Sequence, residues 1–145
     1  MKLKTFLEQN KYSSTTFERI KTNHIQIKAE VNGIKGVFII DTGASNSCID
    51  LENYHLFKIF PEKSSEKASS ATDEISKTMI SKKNKVKIGK WIRKNVSIVL
   101  FDMSFINKTL EEHGAKSVNG IIGADLLKKG KGIIDYSGKK LFLKI

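Results

Sequence analysis

The sequence predicts an all-β domain with one short helix near its C-terminal end. Apolar and polar residues alternate over residues 24–31 and again over 84–88, the period of half-buried strands. Strong turn signals separate such runs: Asn32-Gly33, Gly89-Lys90 and Ser137-Gly138. The one helix that the sequence predicts after residue 24 is a short stretch, 124–129, that stops at Gly130. At 145 residues the chain matches one ordinary domain and buries roughly two thirds of its unfolded surface. It has a single proline and no internal repeat.

In chain order, Leu3, Phe6 and Leu7 have helical spacing, and residues 17–20 read as an edge strand. We take residues 1–23 as an N-terminal extension that packs on the body, and 24–145 as the domain. His-Ile-Gln-Ile-Lys-Ala-Glu-Val (24–31) and the apolar run ending at Ile40 form a hairpin about Asn32-Gly33. Residues 50–70 are polar and carry no decisive signal. Strands follow at 84–88, 91–96 and 97–101. Residues 107–117 fit a short helix or a loop equally well. Gly120-Ile121-Ile122 is a short buried strand, and the last hairpin turns at Ser137-Gly138.

Composition bounds the function. The net charge is +11, with 26 Lys and Arg against 15 acids, and the excess is scattered lysine. The clusters Lys82-Lys83-Asn84-Lys85, Lys128-Lys129-Gly130-Lys131 and Lys139-Lys140 do not interleave with aromatics, so they read as a solvated surface and no nucleic-acid partner is expected. His24, His55 and His113 lack metal-ligand spacing, so no metal or cofactor is expected. With one cysteine, Cys48, there is no intrachain disulfide, which fits a reducing, cytoplasmic setting. Cys48 lies beside Ile49 and reads as a small core residue. The opening residues turn polar at Glu8-Gln9-Asn10, so no leader peptide is expected, and no run is long enough for a membrane span.

The most informative motif is Asp41-Thr42-Gly43, which ends the apolar run Val37-Phe38-Ile39-Ile40 and occurs once. An aspartate in a tight turn at a strand end presents its carboxylate outward. Glycine allows close backbone approach and takes dihedrals a Cβ would obstruct, and a threonine hydroxyl both donates and accepts. Two such carboxylates brought together cannot both ionise; they share one proton, so one serves as base and the other as acid. The tripeptide alone arises by chance in roughly a few per cent of chains this long, and Asp-x-Gly turns after strands are common. A second constellation, Gly120-Ile121-Ile122-Gly123-Ala124-Asp125-Leu126-Leu127, strengthens the reading, although alone it is simply a buried strand leading into a helix.

Together with the ending Ile133-Ile134-Asp135-Tyr136-Ser137-Gly138-Lys139-Lys140-Leu141-Phe142-Leu143, these segments resemble the retropepsin-like aspartic proteases over residues 24–145. The resemblance implies a closed, all-β acid-protease barrel acting as a symmetric homodimer on polypeptide substrates, without cofactor or metal. It makes Asp41 the catalytic aspartate. Thr42 would join the two active-site turns across the subunits, and Gly43 would receive substrate backbone. Ala44 and Ile122 would line the cleft, and Ala71, Thr72 and Asp73 would form the tip of a substrate-covering flap between residues 67 and 79.

Two departures accompany the resemblance. Ser45 and Ala124 replace an acidic residue and an arginine that brace retroviral dimers, and because both charges are absent neither is left unpaired. The flap stretch contains no glycine. Residues 1–23 would complete the dimer interface or form a segment removed by self-cleavage. The alternative to an endopeptidase is a catalytically silent module of the same fold that grips extended polypeptide by strand addition. A weaker alternative is a basic nucleic-acid-associated protein in which the motif is incidental.

Overall fold

The computed structural model describes residues 1–63 and 78–145. After helix α1 (Leu3–Gln9) come strands β1 (Tyr12–Thr16), β2 (Glu18–Arg19), β3 (Ile25–Val31), β4 (Ile34–Ile40) and β5 (Cys48–Asp50). A 3-10 turn (Leu51–Asn53) leads on to β6 (Glu62–Lys63), β7 (Met79–Ile88) and β8 (Trp91–Phe101). Helix α2 (Ser104–Glu112), β9 (Gly120–Ile122), α3 (Ala124–Lys129), β10 (Ile133–Asp135) and β11 (Lys140–Lys144) complete the chain.

The main sheet has the order β2-β3-β4-β9-β5-β8-β7-β6, and β3 also pairs with β7, so six strands close into a barrel. Its first hairpin forms as the dipeptide predicts. Asn32 and Gly33 both take positive φ (52° and 84°), the twist that joins two antiparallel strands through two residues. Ile25, Ile27, Ala29 and Val31 point inward at every second position of β3. Closure is at Glu30↔Lys87 and Val31↔Val86. Asn32 also ties the seam: its amide donates to the Asn84 side-chain oxygen (3.0 Å), and its own side-chain oxygen accepts from the Lys85 N–H (2.9 Å).

Strand β7 starts five residues before the 84–88 segment visible in the sequence. Register shifts at Ser81/Asn84 and Asn84/Val86, with Lys83 at φ 64°, break the alternation there. Around the short β9, the pairing with β4 is parallel and that with β5 antiparallel. Barrel and helix pack through Leu126 and Leu127 of α3. Gly130 ends α3 without a left-handed dihedral; Lys131 takes the positive φ (47°), and Gly130 is small because a Cβ would press on Leu143.

A second sheet, β1-β11-β10, fastens the N-terminal segment to the C-terminal hairpin, with five register pairs from Tyr12↔Lys144 to Thr16↔Lys140. Phe17 is buried in the barrel core, and β2 extends the sheet beside β3, as residues 17–20 suggested. Strand β1 (Tyr-Ser-Ser-Thr-Thr) is held by backbone pairing and lacks an apolar alternation that would have revealed it. Leu7 anchors α1, while Leu3 and Phe6 remain exposed.

Of the stretch left open in the sequence, residues 107–112 belong to α2, which begins at Ser104, and 113–117 are not helical. Asp102 lies two residues before the first residue of α2, its carboxylate accepting from the Ser104 hydroxyl and N–H, which together hold that carboxyl below its ordinary range. Among the described residues no helix is long and apolar enough to cross a membrane. Their only ion pairs are Lys4–Glu8 and Lys87–Glu30, both at 3.7 Å.

Candidate active site

Strand β4 delivers Asp41 to the mouth of the barrel. Its N–H donates to the Ile122 carbonyl (3.0 Å), continuing the parallel β4–β9 ladder one step beyond Ile40↔Ile122. The chain then turns sharply: Gly43 N–H donates to Asp41 Oδ1 (2.9 Å), and Ala44 N–H donates to the Asp41 carbonyl (3.1 Å). Asp41, Thr42 and Gly43 are exposed, so the carboxylate stands at the surface with one oxygen oriented by its own turn. Gly43 does not need the unusual dihedrals expected of it. Its smallness matters because a Cβ would sit 3.2 Å from Asp41 Oδ1.

The loop is fastened to α3 by contacts that no short motif announces. Ser47, almost fully buried, donates through its N–H (2.9 Å) and its hydroxyl (2.7 Å) to Asp125 Oδ1, and its hydroxyl oxygen accepts from Gly123 N–H (2.8 Å). Ala124 N–H donates to the Ala44 carbonyl (2.7 Å). Gly123 admits this approach because a Cβ would collide with Ala44 and Asn46. Asp125 stood within the second constellation, but the Ser47 partner emerges only from the folded loop.

Of the other residues singled out, Ala44 is half-buried at the end of the turn. Ile122 does not line a cleft: paired with Ile40, it turns inward by alternation and is 2% exposed in the barrel core, so its contribution is the carbonyl that anchors Asp41. Ala71, Thr72 and Asp73 lie outside the described residues. An open pocket of about 320 Å³ beside the turn is lined by Thr42, Ala124, Leu127, Lys128, Lys131 and Gly132. Cys48 is buried below the loop, and burial, aided by the nearby charges of Asp125, Asp41 and Asp50, pushes its thiol up to about 12. His24, His55 and His113 are all exposed.

A closed barrel of this topology, with an exposed Asp-Thr-Gly turn hydrogen-bonded to a Gly-Ile-Ile-Gly segment, defines a retropepsin-like fold. The aspartyl protease family matches residues 27–126, and the chain belongs to that family. Among solved structures it is similar to a retropepsin-like aspartic protease from Rickettsia conorii (23% identity, 91% of this chain and 90% of that one, TM-score 0.57). It is also similar to the retroviral protease-like domain of Ddi1 from Leishmania major (12% identity, 90% and 89%, TM-score 0.55). A third likeness is to EIAV protease complexed with the inhibitor HBY-793 (15% identity, 72% and 85%, TM-score 0.51). Curated proteins show no significant match.

Proposed function

We propose that this protein is an aspartic endopeptidase that hydrolyses peptide bonds as a homodimer, with Asp41 from each subunit forming the catalytic pair. The observation that carries the reading is the exposed Asp41 carboxylate at the end of β4, oriented by the Gly43 N–H and anchored through the Ile122 carbonyl. There is one such turn per chain, so a two-carboxylate centre needs a second copy.

In the pair, the ionised Asp41 takes a proton from water as that water attacks the peptide carbonyl. The protonated Asp41 donates a hydrogen bond to the carbonyl oxygen as it becomes tetrahedral, then passes its proton toward the leaving amine. Thr42, exposed beside Asp41, serves as the cross-subunit contact. Gly43 lets substrate backbone approach the turn, and Ala44 lines the cleft beside it. In this reading the second subunit packs against the turn beside the pocket that Thr42 lines. A single free, buried cysteine is consistent with work in the cytoplasm.

The test is cleavage of a diverse peptide library between pH 3 and 9 by wild type and Asp41→Asn, at concentrations where sedimentation shows a dimer. The reading requires cleavage by wild type alone, with a bell-shaped rate profile on the acidic to near-neutral side. Cleavage retained by Asp41→Asn, or a rate rising steadily into alkaline pH, would refute the mechanism. A wild-type dimer that cuts nothing would favour the polypeptide-binding module.

A further inference from the structure

The face of the sheet that carries Asp41 is closed over by the chain's own residues 103–118. Along β4, Phe38 and Ile40 enter the barrel core, whereas Val37 and Ile39 belong to a separate apolar cluster outside it. Asp41 follows Ile39 by two residues, on that same outer face and about 7 Å further along the strand. The ladders continue this row across four strands: Ile39 pairs with Ile121, Ile121 with Cys48, and Cys48 with Val99. Ile39, Ile121, Cys48 and Val99 are thus an apolar floor one step below the carboxylate.

That floor is sealed at all but Val99, which is half-buried at its edge. Ile39, Cys48 and Ile121 are 4%, 6% and 9% exposed because Met103, Leu110 and Val118, with Ile106 and Ala115, pack over them. The cover is fixed by polar ties at both ends. Asn107 donates to the Val118 carbonyl (3.1 Å) and accepts from its N–H (2.8 Å), and Met103 N–H donates to the buried Asp50 carboxylate (3.3 Å). Asn119 exchanges two further hydrogen bonds with the Val37 backbone, at 2.8 and 2.9 Å. Beside Asp41, the chain exposes small or polar side chains at Thr42, Ser45 and Asn46.

We propose that α2 and its flanks are a specificity-determining wall, which excludes large apolar side chains next to the scissile bond and selects polypeptides with small or polar residues there. The inference rests on Asp41 being the centre that meets substrate. Met103, Ile106 and Leu110 act through the floor they cover and have no part in the chemistry.

The experiment uses non-hydrolysable peptide mimics with a central hydroxyl, differing only in a methyl, isobutyl or benzyl group beside it. Binding to wild type, Met103→Ala and Ile106→Ala is measured by calorimetry. Labelling of Cys48, the only cysteine, by an aromatic disulfide reagent is followed in parallel as a report of wall opening. Ile106 is half-buried, so Ile106→Ala tests the wall even if Met103→Ala fails to fold.

Wild type is expected to prefer methyl over benzyl by about tenfold or more, the usual discrimination of a steric pocket. Either folded variant should reduce that preference while Cys48 labels faster. Equal binding of methyl and benzyl by wild type, or an unchanged preference in a variant whose Cys48 has become accessible, overturns the proposal. If no mimic binds any form while Cys48 still responds, the Asp41 reading itself fails, and the specificity assigned to the wall falls with it.

Discussion

Replacing Ser47 with alanine tests how the active-site loop is held. Its hydroxyl donates to Asp125 Oδ1 at 2.7 Å and accepts from Gly123 N–H at 2.8 Å, while its own N–H keeps a separate bond to the same carboxylate. The substitution therefore removes one charge-assisted hydrogen bond, of roughly 1.5–3 kcal/mol, and orphans a buried N–H at roughly 1–3 kcal/mol. These terms are not fully additive, so the expected loss is about 3 kcal/mol. With a urea slope of about 2 kcal/mol/M for a chain of this size, the unfolding midpoint should fall by about 1.5 M. All proteins are compared at one concentration, because association would add a mass-action contribution. Ser97→Ala, at an exposed position of β8, is the control and should shift the midpoint by less than about 0.3 M. A Ser47→Ala midpoint that matches this control would refute the account of how the loop is anchored.

Other consequences follow from the same geometry. Asn84 is buried, with its amide directed at Ser81 and Val96 and its oxygen accepting from Asn32; Asn84→Leu should destabilise the barrel seam by about 2–4 kcal/mol in urea unfolding. Gly120→Ala would drive a methyl into the Cys48 carbonyl and the Phe38 ring, and a loss of about 3 kcal/mol or failure to fold is expected, read by circular dichroism. Cys48 gives a pH signature. Its folded thiol is raised from about 9 to about 12, so above pH 9 the unfolded chain releases a proton that the folded chain keeps, and stability falls as pH rises toward 12. The stability advantage of wild type over Cys48→Ala should accordingly shrink between pH 8 and 11, whereas an advantage growing with pH would reverse the assignment.

Much of the site was legible because the sequence carries it locally. The Asn32-Gly33 hairpin, the aspartate after Ile40, the strand 120–122 and the helix 124–129 each depend on contacts among near neighbours or on strict alternation. What was hidden depends on partners far apart in the chain. Strand β1 is a polar run stabilised by β11, more than 120 residues later. The seven-residue β4 could be placed, but the inward turn of Ile122 follows only once β9 is known to pair in parallel with Ile40. The early part of β7 was masked by two register shifts, and Ser47 looked like any loop serine until Asp125 was folded against it. Helix α2 fitted a loop equally well, since its apolar residues serve a small cluster outside the barrel.

The central claim is that one Asp41 from each of two copies makes the catalytic centre, and subunit mixing tests it most directly. Wild type is held at a fixed concentration above its dimerisation constant, inactive Asp41→Asn is added in ninefold excess and allowed to exchange, and the cleavage rate is followed. Random pairing leaves about a tenth of wild-type subunits in wild-type dimers, so the rate should fall to about a tenth. A rate unchanged by the added variant would contradict the account, because it would mean that a single chain carries the whole centre.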